Sequence, residues 1–120
     1  MFARNITGNL TSLVKQIEAV VAKNQKKKMA AFLVHLTDDA DASEETLIKL
    51  AKKQKIKFTP LTNFDGLAGP DVYNIAEEAD VTIMMWVGSK VKVNYALRKG
   101  KLTKKKVAEI VAQTAKILKD

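Results

Sequence analysis

Residues 80–97, DVTIMMWVGSKVKVNYAL, decide the fold. The run 81–87 is almost continuously apolar, the pattern of a strand covered on both faces, as the inner strands of an α/β sheet are. Gly88, Ser89 and Lys90 read as a tight turn. After it Val91, Val93, Tyr95 and Leu97 alternate with Lys92, Asn94, Ala96 and Arg98, which predicts a strand with one wet face at a sheet edge. A buried strand and an edge strand thus form a hairpin that feeds the last helix.

That helix follows Gly100. Thr103 is its expected cap, and Val107, Ile110, Val111, Thr114, Ile117 and Leu118 keep one apolar stripe. Upstream of the hairpin, Pro70 suits the first position of a short helix whose apolar side is Val72, Tyr73, Ile75 and Ala76. Residues 61–69 read as loop with an Asp65-Gly66 turn, and 56–59 as a short extended piece ahead of Pro60. Residues 29–36, MAAFLVHL, form a second buried strand. A helix follows with Ser43 or Asp41 as N-cap and Leu47, Ile48, Leu50 and Ala51 as its buried stripe.

At the start, Met1-Phe2-Ala3 reads as the end of a strand, so a truncated beginning is expected. A loop over 4–9 leads to a helix with Asn9 as cap, apolar positions Leu10, Leu13, Val14, Ile17, Val20 and Val21, and an end at Asn24. The order is β-α-β-α, a connecting segment, then β-β-α. A right-handed crossover between parallel strands places residues 1–4 inside the sheet beside 81–87. The expected architecture is α/β: a mixed four-stranded sheet of order 2-1-3-4, last strand antiparallel, flanked by helices. Residues 1–120 make one domain, with no repeat or low-complexity stretch.

The 120 residues are enough to bury about two thirds of the unfolded surface around one core. With no cysteine, disulfides, thiolate metal sites and thiol redox chemistry are excluded together. The formal charge of +8 attracts polyanions non-specifically. The lysines gather near 26–28, 49–57 and 98–106, where solvated helix ends account for most of them; Lys26, Lys27, Lys28, Lys104, Lys105 and Lys106 form the candidate basic patch. No apolar run reaches the roughly 18 residues of a membrane span, and polar residues begin at Arg4, so a soluble, cytoplasmic chain is the default expectation.

Other chemistry finds little support. His35 lies in an apolar strand with no nucleophile nearby in sequence; its core role outweighs a hydrolase reading that pairs it with Asp38 or Asp39. Asp39 opens something like a calcium loop, but Glu44 stands where the turn glycine is required and Leu50 where the bidentate glutamate is. Asn5-Ile6-Thr7 and Asn9-Leu10-Thr11 match the glycosylation tripeptide, a pattern frequent by chance. There is no phosphate-binding glycine loop, and the one Trp, two Tyr and four Phe lie mostly in predicted strands and helices, with Trp86 read as core. No cofactor or metal is expected.

The element order, with Phe2-Ala3-Arg4 running into a helix, Phe58-Thr59-Pro60-Leu61 ahead of Asp65-Gly66, and Val81-Thr82-Ile83-Met84-Met85 ahead of Lys90-Val91, resembles a bacterial thioredoxin-like domain of the peroxiredoxin-related kind. The resemblance implies a reactive cysteine at the start of the first helix, in a Thr-x-x-Cys or Cys-x-x-Cys motif. Thr7-Gly8-Asn9-Leu10 stands there instead, with a hydrocarbon where the sulfur belongs. Asp80-Val81 replaces the cis-proline of thioredoxins or the arginine of peroxiredoxins, so the shelf for an extended peptide and the polarisation of a peroxide are both in doubt. The expected function is therefore a non-catalytic binding or structural domain with a protein or peptide partner. Its candidate surface is Arg4, Asn5, Thr7, Gly8, Asn9, Leu10 and Asp80, where helix N–H groups would hold an anion. The alternative is a basic surface for nucleic acid or an acidic partner. The short first strand also leaves room for a homo-oligomer.

Overall fold

The shortest strand lies at the centre of the sheet in the computed structural model, which describes residues 1–67, 69, 73, 75–88 and 90–118. Strand β1 (Phe2–Ala3) is buried on both faces and runs parallel to β2 (Leu33–Thr37), with Phe2 opposite Val34 and Ala3 opposite His35. The Met1 amine nitrogen donates to the Phe32 carbonyl at 2.9 Å and the Met1 carbonyl accepts from the Val34 N–H at 2.8 Å, extending the ladder by one residue.

Between them runs helix α1 (Gly8–Lys23), which buries the expected stripe of Leu10, Leu13, Val14, Ile17 and Val21. Its N-cap is Thr7, not Asn9: Thr7 has extended backbone and its hydroxyl accepts from the Leu10 N–H at 3.1 Å. The second strand is shorter than the apolar run 29–36 that announces it. Its neighbours on either side begin pairing only at Val34 and Leu33, and beyond the Phe32 carbonyl, which Met1 reaches, residues 29–31 have no ladder to join. Helix α2 (Ala40–Gln54) is capped by Asp39, which accepts from the Ala42 N–H at 3.2 Å; neither Asp41 nor Ser43 does this, because both already lie inside the helix. Leu47 and Leu50 are buried, whereas Ile48 is 48% exposed and leaves the expected stripe.

The sheet has five strands, not four. Residues expected to be loop form β3 (Leu61–Asp65), parallel to β2 over all five positions from Leu33–Leu61 to Thr37–Asp65. The sequence LTNFD carries no apolar run because this strand is an edge held mainly by its backbone ladder. Residues 56–59 are not a strand. Of the short helix expected from Pro70, residues 70–72 and 74 fall outside the described residues, as does Ser89 in the hairpin turn, while Ile75 and Ala76 are not helical.

Strands β4 (Val81–Val87) and β5 (Lys90–Leu97) are the antiparallel hairpin, and the whole order is β3-β2-β1-β4-β5. The direction reverses one strand earlier than expected: β4 already runs antiparallel to β1, so β5 points the same way as β1, β2 and β3. A bulge at Met85/Trp86 shifts the register, with Met85 opposite Val93 but Trp86 opposite Val91. Beyond a bulge the faces exchange. The unpaired residue is Lys92, so on β5 Val91 (55% exposed) consequently leaves the core that its alternation predicts, whereas Val93 stays in it; Trp86 (39%) and Val87, at the end of β4, are exposed as well.

The last helix is also interrupted. Helix α3 (Lys104–Gln113) starts at the predicted cap Thr103, and Thr114, whose hydroxyl donates to the Val111 carbonyl at 2.7 Å, separates it from α4 (Ala115–Leu118). One large apolar cluster joins Leu13, Leu47 and Ile110 from the three longer helices to Ala3, Leu33, Ile83 and Val93 of the sheet, so these helices share a face. A smaller cluster on the opposite face holds Phe2, Val34 and Leu36 against Phe32, Tyr73 and Ile75.

Candidate functional site

The carboxyl ends of β1, β2 and β3 lie together, the position at which open α/β sheets present ligand sites. Arg4 leaves β1 there. Its backbone N–H donates to the Asp80 carbonyl at 2.8 Å, and its guanidinium donates to three carbonyls: Leu67 at 2.9 Å, Ala76 at 3.1 Å, and Ala79. The charge thus fastens the connection between β3 and β4 to the central strand. Asn5 donates through Nδ2 to Asp80 Oδ1 at 2.6 Å. Arg4, Asn5 and Asp80 therefore form one network, although they are separated by some seventy-five positions in the chain.

Thr7, Gly8 and Asn9 are exposed at the start of α1. Thr7 takes the Leu10 N–H, while Asn9 reaches across through Nδ2 to the Leu102 carbonyl at 2.9 Å, ahead of α3. Leu10 does not belong to this surface. It is 0% exposed, because the third position of the helix turns its side chain inward against the sheet.

The six lysines of the candidate basic patch do not form one patch. Asn9 ties the start of α1 to the start of α3, where Lys104, Lys105 and Lys106 lie; Lys27, beyond the end of α1, donates to the Leu118 carbonyl at 2.7 Å. The groups 26–28 and 104–106 therefore stand at opposite ends of a 16-residue helix, about 24 Å apart along its axis. Lys106 donates to Glu109 at 2.8 Å, a bond that raises the lysine and lowers the glutamate from their ordinary values, and its ammonium lies 5.7 Å from the Tyr95 ring centroid.

His35 pairs with neither Asp38 nor Asp39. Its Nδ1 is 2.6 Å from the Ser43 hydroxyl and its Nε2 is 3.3 Å from the Arg4 carbonyl. A carbonyl only accepts, so the proton sits on Nε2 and Ser43 donates to Nδ1. This is the arrangement of a base beside a hydroxyl, with Ser43 only 3% exposed, and the pair pins α2 to β2. Asp39 is occupied as a helix cap. Among the described residues no group of His, Cys, Asp or Glu is placed to hold a metal ion, and no helix is long and apolar enough to cross a membrane.

One charged residue escaped the sequence reading. Glu18 falls within the apolar stripe of α1 and is 9% exposed. Its carboxylate accepts from the Lys57 N–H at 2.8 Å, from the Phe58 N–H at 3.0 and 3.1 Å, and from the Thr59 hydroxyl at 2.8 Å. Burial alone would raise this carboxyl, but the donors prevail and hold it below its ordinary value. It clasps the segment that leads into β3. No protein-family model, curated protein or solved structure matches the chain.

Proposed function

We propose that this chain is a thioredoxin-like domain that binds a partner instead of performing thiol chemistry, through the first turn of α1 and the loop before it. The observation that carries the reading is the junction after β1. There Asn5, Thr7, Gly8 and Asn9 are exposed at the positive end of a 16-residue helix, braced by the Arg4–Asp80 network. Thr7 satisfies Leu10, which leaves the N–H groups of Gly8 and Asn9 for an acceptor on the partner, such as a carboxylate.

The test has two parts. Insulin reduction and peroxide consumption are expected to stay at the blank. In a titration with inorganic phosphate followed by amide resonances, Gly8 and Asn9 are expected to shift first and to saturate; shifts spread over the lysine-rich segments, with none at Gly8 and Asn9, would remove the loop as the site.

A second reading rests on a different observation. Lys104, Lys105 and Lys106 occupy the first turn of α3 with no acidic residue beside them in that turn, where the helix dipole disfavours cations. A surface that tolerates this cost suits a polyanion. Duplex DNA held by the α3 group alone gives a slope of log K against log salt near −2.7, about three phosphates, whereas a duplex that also spans the distance to the second group gives one near −5.4, about six. Fluorescence anisotropy over a salt series reads the slope directly, and a flat series excludes the electrostatic role.

A further inference from the structure

At the end of the sheet away from Arg4 lies a cavity of about 370 Å³, inside the range of small-molecule sites. It opens where the end of β4 beyond the bulge meets residues 29–32, ahead of β2, and helix α4. Phe32, Met84, Trp86, Ile117 and Leu118 line it, with the Phe32 and Trp86 rings packed edge to face at 6.2 Å between centroids. Among the described lining residues the charged side chains are two, Lys27 and Lys28, and both are cations. Lys27 stays at this end through its bond to the Leu118 carbonyl. Lys28 holds a left-handed backbone, φ 57°, a conformation that glycine or asparagine adopts more readily.

We propose that this cavity binds a small amphipathic organic anion, its acyl chain or ring among Phe32, Met84 and Trp86 and its carboxylate facing Lys28. The charge of the mouth selects the ligand class: apolar walls alone would take an alcohol as well as an acid. The site lies at the opposite end of β1 from the α1 loop and does not depend on the function proposed above.

Trp86 is the sole tryptophan of the chain and lines the cavity, so its emission reports occupancy. Decanoate below its micellar concentration is expected to shift that emission to the blue and to saturate, with decanol binding more weakly. Lys28→Asn is expected to keep or raise the melting temperature, since asparagine suits the left-handed backbone, while weakening decanoate about threefold; Lys28→Glu weakens it about tenfold, and neither changes decanol. Ala31→Phe, which fills the cavity, weakens both ligands. Equal affinity for acid and alcohol with no effect of Lys28→Glu overturns the proposal. So does a response confined to anionic lipid vesicles, which assigns the face to a membrane, or an emission shift that follows protein concentration with a doubled mass in light scattering, which assigns it to a second copy.

Discussion

Glu18→Ala lowers the unfolding free energy at neutral pH by about 3 kcal/mol, and Glu18→Gln by roughly half of that. The carboxylate accepts from two backbone N–H groups and one hydroxyl, and hydrogen bonds to an ionised acceptor are worth about 1.5 to 3 kcal/mol each. Simple addition overshoots, because Lys57 and Phe58 are exposed and water replaces the lost partner in part. Thr59 is buried and keeps the larger penalty. Glutamine retains one acceptor oxygen but turns an N–H₂ toward donors, hence the intermediate cost. The pH dependence separates this account from a packing defect. The folded carboxyl titrates below its unfolded value, so the folded state releases its proton first. The stabilisation is complete above the unfolded pKa and disappears as pH falls through the folded one. Urea unfolding at pH 7 and across the acid range is expected to show the gap between wild type and Glu18→Gln closing as acid is added. A gap that stays constant would mean that the charge is irrelevant and only shape matters.

Glu18 also shows which parts of this molecule are legible in its sequence. Position 18 is eight residues beyond Leu10, on the inner face of α1 by simple periodicity, so a buried acid could be read there. Its partners could not, because they belong to an irregular segment about forty residues away. The helices are legible since each carries a repeating stripe, and the 81–97 hairpin since a long apolar run meets a turn. Strand β3 was hidden because an edge strand held by its ladder needs no apolar run. The caps at Thr7 and Asp39 each had polar neighbours as good by composition, and the entry angle of the chain, which only the sheet fixes, chose between them. Val91 misled because a one-residue bulge reverses the meaning of alternation. Of the candidate surface, Thr7, Gly8 and Asn9 follow from a helix start, whereas the Arg4–Asp80 brace depends on a connection that closes late in the chain. The cavity beside Trp86 draws on three distant stretches and has no local signature at all.

Leu10→Cys, the substitution that restores a sulfur at the position the proposed thioredoxin-like reading reserves for it, is expected to give a folded protein with no peroxidase activity and an inert thiol. Two effects oppose each other. The N-terminus of α1 stabilises a thiolate, but Leu10 is 0% exposed among Leu13, Val14 and Ile110, and burial in apolar surroundings favours the neutral thiol and bars any reagent. Access decides, since a group without solvent contact meets no oxidant whatever its ionisation. Truncating leucine to cysteine also costs about 2 kcal/mol in lost contacts and cavity, less than the 2 to 5 kcal/mol typical of a change to alanine. A domain left with about 3 kcal/mol of stability exposes the thiol less than one hundredth of the time. Reaction with a disulfide thiol reagent is therefore expected to run at least a hundredfold slower in native buffer than in urea, and to accelerate in step with unfolding. Labelling at the rate of a free thiol in native buffer would mean that the first turn of α1 opens on its own. That turn would then be a mobile element whose ligand must order it, and the rigid N–H pair of Gly8 and Asn9 could not be the recognition surface.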